Sequence, residues 1–375
     1  MPTLHRLTLR EIQLPLREPF VISSGVVHHR RILLLEAEDS AGVVAWSECV
    51  AGEQPNYSPE TVDTAWLAIT HWLAPRLLGR EWQTPREVHG WLERDVRGHN
   101  MAKAALEMLC WGLIAELRGE PLARVLGGTR EQVVTGISVG IQPTPAALAA
   151  KAEESVALGY RKVKLKIKPG ADVDYVAAVR AAVGPEVELS VDANCAYTLA
   201  DADHLARLDP YRLLMLEQPL AWDDLVDHAA LQPRLATPLC LDESITSVDR
   251  TRQMIQLGSG RIVNIKPGRV GGFTTSVAIH DLCRQHDVPV WCGGMLESGI
   301  GRAYNVALAS LPNFQLPGDL SPSARYWQRD IVDPEWTMDE GGRVRVPLDR
   351  PGLGIEVDRR RVDQLTARSE TLTPS

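Results

Sequence analysis

Two rhythms of apolar and polar residues divide the chain. In the first third, Leu4–Pro15 and Arg31–Glu38 alternate at period two and predict strands, joined by a loop through Phe20, Ser23, Ser24 and Gly25. Trp46–Cys49 predicts a short third strand, and Gly52–Pro59, with its Gly, Pro, Asn and Ser, predicts a loop. From Pro59 to about Gly119 the apolar spacing becomes helical. Ala102, Ala105, Leu106, Leu109, Leu113 and Ile114 fall on one face, as in a helix packed on a core. Strands followed by helices predict an α+β unit.

From about Val133 the pattern changes. β-rich runs recur at Val134–Ile141, Lys162–Ile167, Glu188–Val191, Leu213–Leu216, Leu239–Leu241, Ile262–Ile265, Val288–Trp291 and Phe314–Leu316, with helical spacing between them. A polar residue stands at or near the end of five successive runs. These are Lys166, Asp192, Glu217, Asp242 and Lys266, separated by 26, 25, 25 and 24 residues. A strand, a loop and a three-turn helix take about that length, so the beat predicts a barrel of repeated βα units. A doubly wound sheet has no reason to keep it through eight strands. The period ends after Asp319. Arg343–Pro347 reads as a strand expected to return to the N-terminal unit, and Ser369–Ser375 as a frayed end.

Composition narrows the partners more than the fold. Hydrophobic residues make up 45% and charged residues 23%, which suits a chain with a buried core. The formal charge of −8 shows no basic footprint for nucleic acid. No run approaches eighteen apolar residues, so no membrane span is expected, and Met1–Pro15 lacks a signal-peptide core. The six cysteines form neither a CxxC pair nor a zinc spacing and read as free thiols in a reducing cytoplasm.

In barrels of this kind chemistry sits at the C-terminal ends of the strands. Three of the five polar residues, Asp192, Glu217 and Asp242, are carboxylates on consecutive strands. Gathered together they repel, and their pKa values rise unless a cation lies between them. An all-oxygen set favours Mg²⁺ or Mn²⁺ over zinc. One such residue alone is as readily a loop cap or half of an ion pair; three on consecutive strands carry the information. Lys166 and Lys266 lie four strands apart in a ring of eight and so approach from opposite sides. A carbon held between them loses a proton to one and regains it from the other. A free lysine, with a pKa of about 10.4, is a poor base near neutrality. A nearby cation lowers it, and Lys164, on the same face two residues before Lys166, is such a neighbour. Lys164, Lys166 and Lys168 also fit a solvated strand edge, although an unpartnered lysine facing a barrel interior is costly. Removing a proton next to a carboxylate leaves an enediolate with two negative charges, which a divalent cation stabilises. The residues thus point to metal-assisted proton abstraction α to a carboxylate, with two lysines as acid and base.

Lys164-Leu165-Lys166, Asp192-Ala193-Asn194, Glu217-Gln218-Pro219, Asp242-Glu243-Ser244 and Asn264-Ile265-Lys266-Pro267 together resemble the enolase superfamily, muconate-lactonizing subgroup, over nearly the whole chain. The resemblance implies an α/β fold: a (β/α)7β TIM-like barrel over 129–319 with an α+β capping domain from 1–128 plus 320–375. It also implies Mg²⁺ on Asp192, Glu217 and Asp242, with Mn²⁺ or Co²⁺ accepted by the same oxygens, and no organic cofactor. The mandelate-racemase branch places a His at the end of strand seven. Here that end reads Val290-Trp291-Cys292-Gly293-Gly294, which fits the two-lysine branch.

Ser138-Val139-Gly140-Ile141, Gly268-Arg269-Val270-Gly271-Gly272 and Gly293-Gly294-Met295-Leu296-Glu297-Ser298 resemble the N-acylamino acid racemase group, itself similar to o-succinylbenzoate synthase. The implied activity is racemisation of N-succinyl or N-acetyl amino acids by proton transfer between Lys166 and Lys266. Dehydration to o-succinylbenzoate in menaquinone synthesis is the alternative, or a second activity of the same site. Dipeptide epimerases carry Asp-x-Asp on strand eight for the substrate ammonium; Pro317-Gly318-Asp319 here implies an uncharged, acylated nitrogen. By the same resemblance Lys164 faces the substrate carboxylate and Arg269 tunes the proton affinity of Lys266. Ser138, Asn194, Glu243, Gly293 and Met295 are implied substrate contacts or neighbours. Phe20 and Tyr57 close the cap over the substrate, though aromatics there pack as core equally well. The implied partner is a small-molecule carboxylate, with a homo-oligomeric assembly, often an octamer in that family. Three other readings remain: a phosphate cradle at Gly271–Gly272 and Gly293–Gly294, a Schiff-base aldolase through Lys166 or Lys266, and a barrel kept for binding alone.

Overall fold

The computed structural model describes residues 1–23 and 25–374. The N-terminal region is a long antiparallel hairpin, β1 (Leu4–Ile22) and β2 (Gly25–Asp39), extended by β3 (Val44–Cys49). The apolar run Ile32–Leu35 explains why this sheet is covered on both faces. Leu33 and Leu35 pack with Leu7, Leu9 and the cap helices, while Ile32 and Leu34 join Ile12, Leu14 and the large cluster shared with the barrel. The predicted loop is the far end of the hairpin: Phe20 stands opposite Val27, and the register slips between Pro15 and Phe20. Pro15 and Pro19 have no amide hydrogen to donate to a ladder, and this hid the strand. Ser24 of that predicted loop lies outside the described residues.

The helix Asn100–Arg118 also departs from expectation. It is buried on every side from Met101 to Ala115 because it lies between sheet and barrel. Ala104 and Met108 join one apolar cluster, Ala105 and Leu109 the other.

The predicted run Val134–Ile141 breaks at Thr135 into β4 (Gln132–Val134) and β5 (Gly136–Val139). Then follow β6 (Lys162–Lys166), β7 (Glu188–Asp192), β8 (Leu216–Glu217), β9 (Leu239–Leu241), β10 (Ile262–Ile265) and β11 (Val290–Cys292). β5 to β11 form one parallel sheet in chain order. The eighth run closes the ring through bridges from Phe314 to Val290 and from Gly318 to Thr135 rather than as a full strand. Pro312 and Pro317 flank it and cannot donate. The architecture is the expected α/β fold, a (β/α)7β barrel with an α+β cap.

Two tail expectations are corrected. Arg343–Arg345 pairs with β4 rather than with the cap sheet. The return is made by Thr366–Leu372, an ordered strand antiparallel to β1 from Leu7 to Ile12. Its polar sequence misled because it is an exposed edge, held by Arg368 to Glu11 at 2.7 Å and to Asp63 at 2.8 Å. Ser375 lies outside the described residues. All six cysteines are free thiols. Among the described residues no helix is long and apolar enough to cross a membrane.

Candidate active site

Parallel pairing sets the level of the strand ends. Lys166 is the lateral neighbour of Asp192, and Asp192 of Glu217. Asp242 follows β9, and its N–H donates to Gln218 Oε1 at 3.0 Å. Lys266 follows β10. Counting round the ring, β6 and β10 are separated by β7, β8 and β9 on one side and by β11, the closing segment and β5 on the other, so the two lysines oppose each other. Both line one cavity of about 430 Å³, whose cap wall includes Phe20, Ile22, Val26 and Tyr57 and whose barrel wall includes Asn194 and Met295.

Within this mouth nearly every charge is partnered. Lys166 Nζ donates to Asp192 Oδ2 at 2.6 Å and Asn194 Oδ1 at 2.8 Å. Lys266 Nζ donates to Asp242 Oδ2 at 2.7 Å and to the Tyr57 hydroxyl at 3.1 Å. Lys164 Nζ lies 2.7 Å from Asp319, 3.0 Å from Glu217 and 3.6 Å from Asp192. Arg269 donates to Asp242, and to Tyr57 at 3.1 Å. Ser138 donates to Asp319 at 3.0 Å, and Asn194 to Glu243 at 3.2 Å. Gly293 packs against Asn264 and the stem of Lys266. Ser138, Lys164, Glu243, Arg269 and Gly293 therefore stand around the cavity without lining it.

Burial and charge pull the proton affinities apart. For Asp192 desolvation works upward, but Lys166 and Lys164 outweigh it and hold the carboxyl well below its usual range. For Glu217 desolvation, reinforced by Asp192, wins and raises it. Glu243 is pushed up to about 7 by burial and by Asp192. At Lys266 burial works downward, but the Tyr57 oxygen, Glu217, Glu243 and Asp192 outweigh it and raise the ammonium above its usual range. Asp319 is held through Oδ2 by Lys164 and Ser138.

The donor set suits a divalent cation. Five buried acids, Asp192, Glu217, Asp242, Glu243 and Asp319, face five buried bases, Lys162, Lys164, Lys166, Lys266 and Arg269. The oxygens Glu243 Oε2, Asn264 Oδ1 and Asp319 Oδ1 are buried without a hydrogen-bond partner. Among the described residues no three acidic, His or Cys groups converge on one point; Asp192, Glu217 and Asp242 are instead turned onto ammonium and guanidinium groups.

Several residues escaped the sequence reading. Lys162, two before Lys164, is fully buried on the same strand face with its ammonium 3.9 Å from the Trp291 ring. The same-face rule that found Lys164 also reaches it. Lys168, by contrast, is exposed beyond the strand. Gln218 supports the Asp242 turn, accepting also from Ser244 N at 3.4 Å, and has φ +36°. Asn194, Cys195 and Leu296 share that left-handed backbone, a concentration of strain around one cavity. The phosphate cradle is corrected at Gly271–Gly272, because the N–H groups of Phe273 and Thr274 donate to Glu107.

Comparison with known proteins gives the family and the fold. Residues 5–127 match the mandelate racemase / muconate lactonizing enzyme N-terminal domain, and 147–361 the enolase C-terminal domain-like family. The chain is 51% identical over 358 residues to an o-succinylbenzoate synthase of Geobacillus stearothermophilus, covering 96% of this chain and 94% of that protein. It is 48% identical over 360 residues to an N-succinylamino acid racemase of Amycolatopsis sp, covering 96% of each. It superposes on a crystal structure of an enolase superfamily member from Listeria innocua with TM-score 0.94, 37% identity and full coverage of both chains. The chain belongs to the enolase superfamily, with the N- and C-terminal domains of its mandelate racemase / muconate lactonizing enzyme members.

Proposed function

We propose that this chain racemises N-acylamino acids, N-succinyl or N-acetyl, by moving the α-proton between Lys166 and Lys266. The observation that carries the reading is the opposition of these two amines across one cavity, with acidic groups between them. Asp192, Glu217 and Asp242 would hold a divalent cation, Mg²⁺ or the similar Mn²⁺ or Co²⁺. When bound, it supplies positive charge where the enediolate gains its second negative charge.

The protein's own groups do the rest. Lys164 is a cation for the substrate carboxylate. One lysine, neutral, takes the α-proton; the other, as ammonium, returns a proton to the opposite face and inverts the centre. Tyr57 and Arg269 fix Asp242 and thereby Lys266. The cap hairpin closes the cavity and excludes water, which strengthens every charge interaction inside.

A second reading is favoured by the name of the 51% identical relative: dehydration to o-succinylbenzoate. Lys166 takes the α-proton as base, Lys266 stays an ammonium beside the enolate, and the Lys166 ammonium gives that proton to the departing hydroxyl, which leaves as water in place of reprotonation at the α-carbon. Purified protein with Mg²⁺, given N-succinyl amino acids and the dehydration substrate separately, distinguishes the two by kcat/KM. The racemase reading expects inversion of both enantiomers. Turnover of the dehydration substrate alone would overturn it.

A further inference from the structure

The two lysines are held by different parts of the chain. Lys166 is fixed from within the barrel by Asp192 and Asn194. The helix that follows its strand, Val173–Val183, is capped by its own Asp172, whose Oδ1 accepts from Val173 N at 2.6 Å. The cap adds on this side a hydrogen bond from Ser23 Oγ to the Asn194 carbonyl at 3.2 Å.

On the Lys266 side the barrel has given up its local cap. The helix Phe273–Gln285 begins after Gly272 with no side-chain cap from its own N-cap residue. Its first N–H groups are taken by Glu107, from the middle of the cap helix Asn100–Arg118. Glu107 accepts from Phe273 N at 2.8 Å, Thr274 N at 2.9 Å and Thr274 Oγ1 at 2.5 Å, and it is fully buried. A carboxylate at a helix N-terminus meets unpaired N–H groups and the positive end of the dipole. Gly272 makes the approach possible: its φ is +113°, and a Cβ there would lie 2.4 Å from Glu107 Oε2. Asn100, at the start of the same cap helix, donates to the Arg269 carbonyl at 2.9 Å. Cap residue Val50 presses on the backbone between these points, where a Cβ on Gly268 would stand 2.3 Å from Val50 Cγ2. The segment from Lys266 to Thr274 is therefore gripped along its length by the cap.

We propose that Glu107 and Asn100 are positioning residues through which the cap sets the geometry of Lys266 more than that of Lys166, so that proton transfer on one face of the substrate depends on the cap more strongly than on the other. This rests on the two-lysine reading above. A misplacement of about an ångström in a reacting group costs up to about a hundredfold in rate, so a looser grip acts on one face first.

The test is exchange of the α-hydrogen with solvent deuterium, measured separately from each enantiomer of an N-succinyl amino acid with Mg²⁺ present. Lys166→Ala and Lys266→Ala assign the faces. In Glu107→Gln the rate at the Lys266 face is expected to fall about tenfold more than at the Lys166 face, with a smaller shift of the same sign in Asn100→Ala. Thr144→Ala removes the cap of the barrel helix Pro145–Ala157 and serves as control; it should lower the melting temperature and leave the ratio of faces unchanged. Should Glu107→Gln fail to fold, Asn100→Ala carries the test. Equal losses at both faces in the folded variants would overturn the proposal. Absence of exchange from either enantiomer in the unaltered protein would overturn the two-lysine reading and this inference with it.

Discussion

The barrel mouth and the cap hairpin face the same cavity and are built by opposite rules. The mouth is dense with charge and buried, each group fixed by a strand end and a partner 2.6–3.1 Å away. The hairpin wall offers Phe20, Ile22 and Val26, apolar and partly exposed, from strands whose register slips. Rigid, compensated charge suits proton transfer, which tolerates little displacement. A pliable apolar wall suits selection of the part of a substrate that does not react. Changes in the mouth should therefore abolish chemistry, and changes in the hairpin should redistribute substrates.

Lys166→Ala should give the largest effect. Racemisation is expected to fall by about a thousandfold, with exchange lost from one enantiomer first; equal retention from both would break the division of roles.

The seam between the regions responds to pH. Glu48, on the cap strand β3, accepts from Ser298 Oγ at 2.6 Å and from Gly301 N at 3.1 Å in the barrel. Burial raises its pKa from 4.5 to about 7, with Glu297 adding to the rise and Ser298 and Arg30 opposing it. The folded state thus holds this proton more tightly than the unfolded one. Its contribution is complete below about pH 4.5 and is lost as pH rises through 7, by about 3 kcal/mol in all. Glu48→Gln cannot titrate, and its denaturant midpoint should fall less between pH 4.5 and 7 than that of the unaltered protein; parallel curves would contradict the assignment.

Asp192→Asn should weaken Mg²⁺ binding by about a hundredfold, read by titration calorimetry without substrate. Unchanged affinity would remove Asp192 from the ion site. Phe20→Ala is the mildest: kcat near that of the unaltered protein for a small substrate, with preference among acyl groups or side chains shifted by about tenfold in KM. A uniform loss of kcat would place the hairpin in the chemistry and erase the comparison.

Legibility in the sequence follows the same divide. The strand-end residues were readable because a βα repeat spaces them evenly, and each polar residue interrupts an apolar strand. Lys164 followed from the two-residue period of a strand, and Lys162 was open to the same rule. The hairpin end was hidden by Pro15 and Pro19, which read locally as a loop while long-range pairing makes them strand. The C-terminal strand was hidden because Thr366–Leu372 is an exposed edge, specified by its partner β1 more than by its own residues. Glu107 and Glu48 look like ordinary helix and strand carboxylates until the barrel helices they cap are placed against them.

The most direct measurement follows the α-proton by NMR in deuterium oxide, for each enantiomer of one N-succinyl amino acid, with Mg²⁺ and again after chelation. Opposed lysines around a divalent ion predict loss of the α-proton signal from both enantiomers with the ion present and neither without it. Exchange confined to one enantiomer, or undiminished by chelation, would contradict the account.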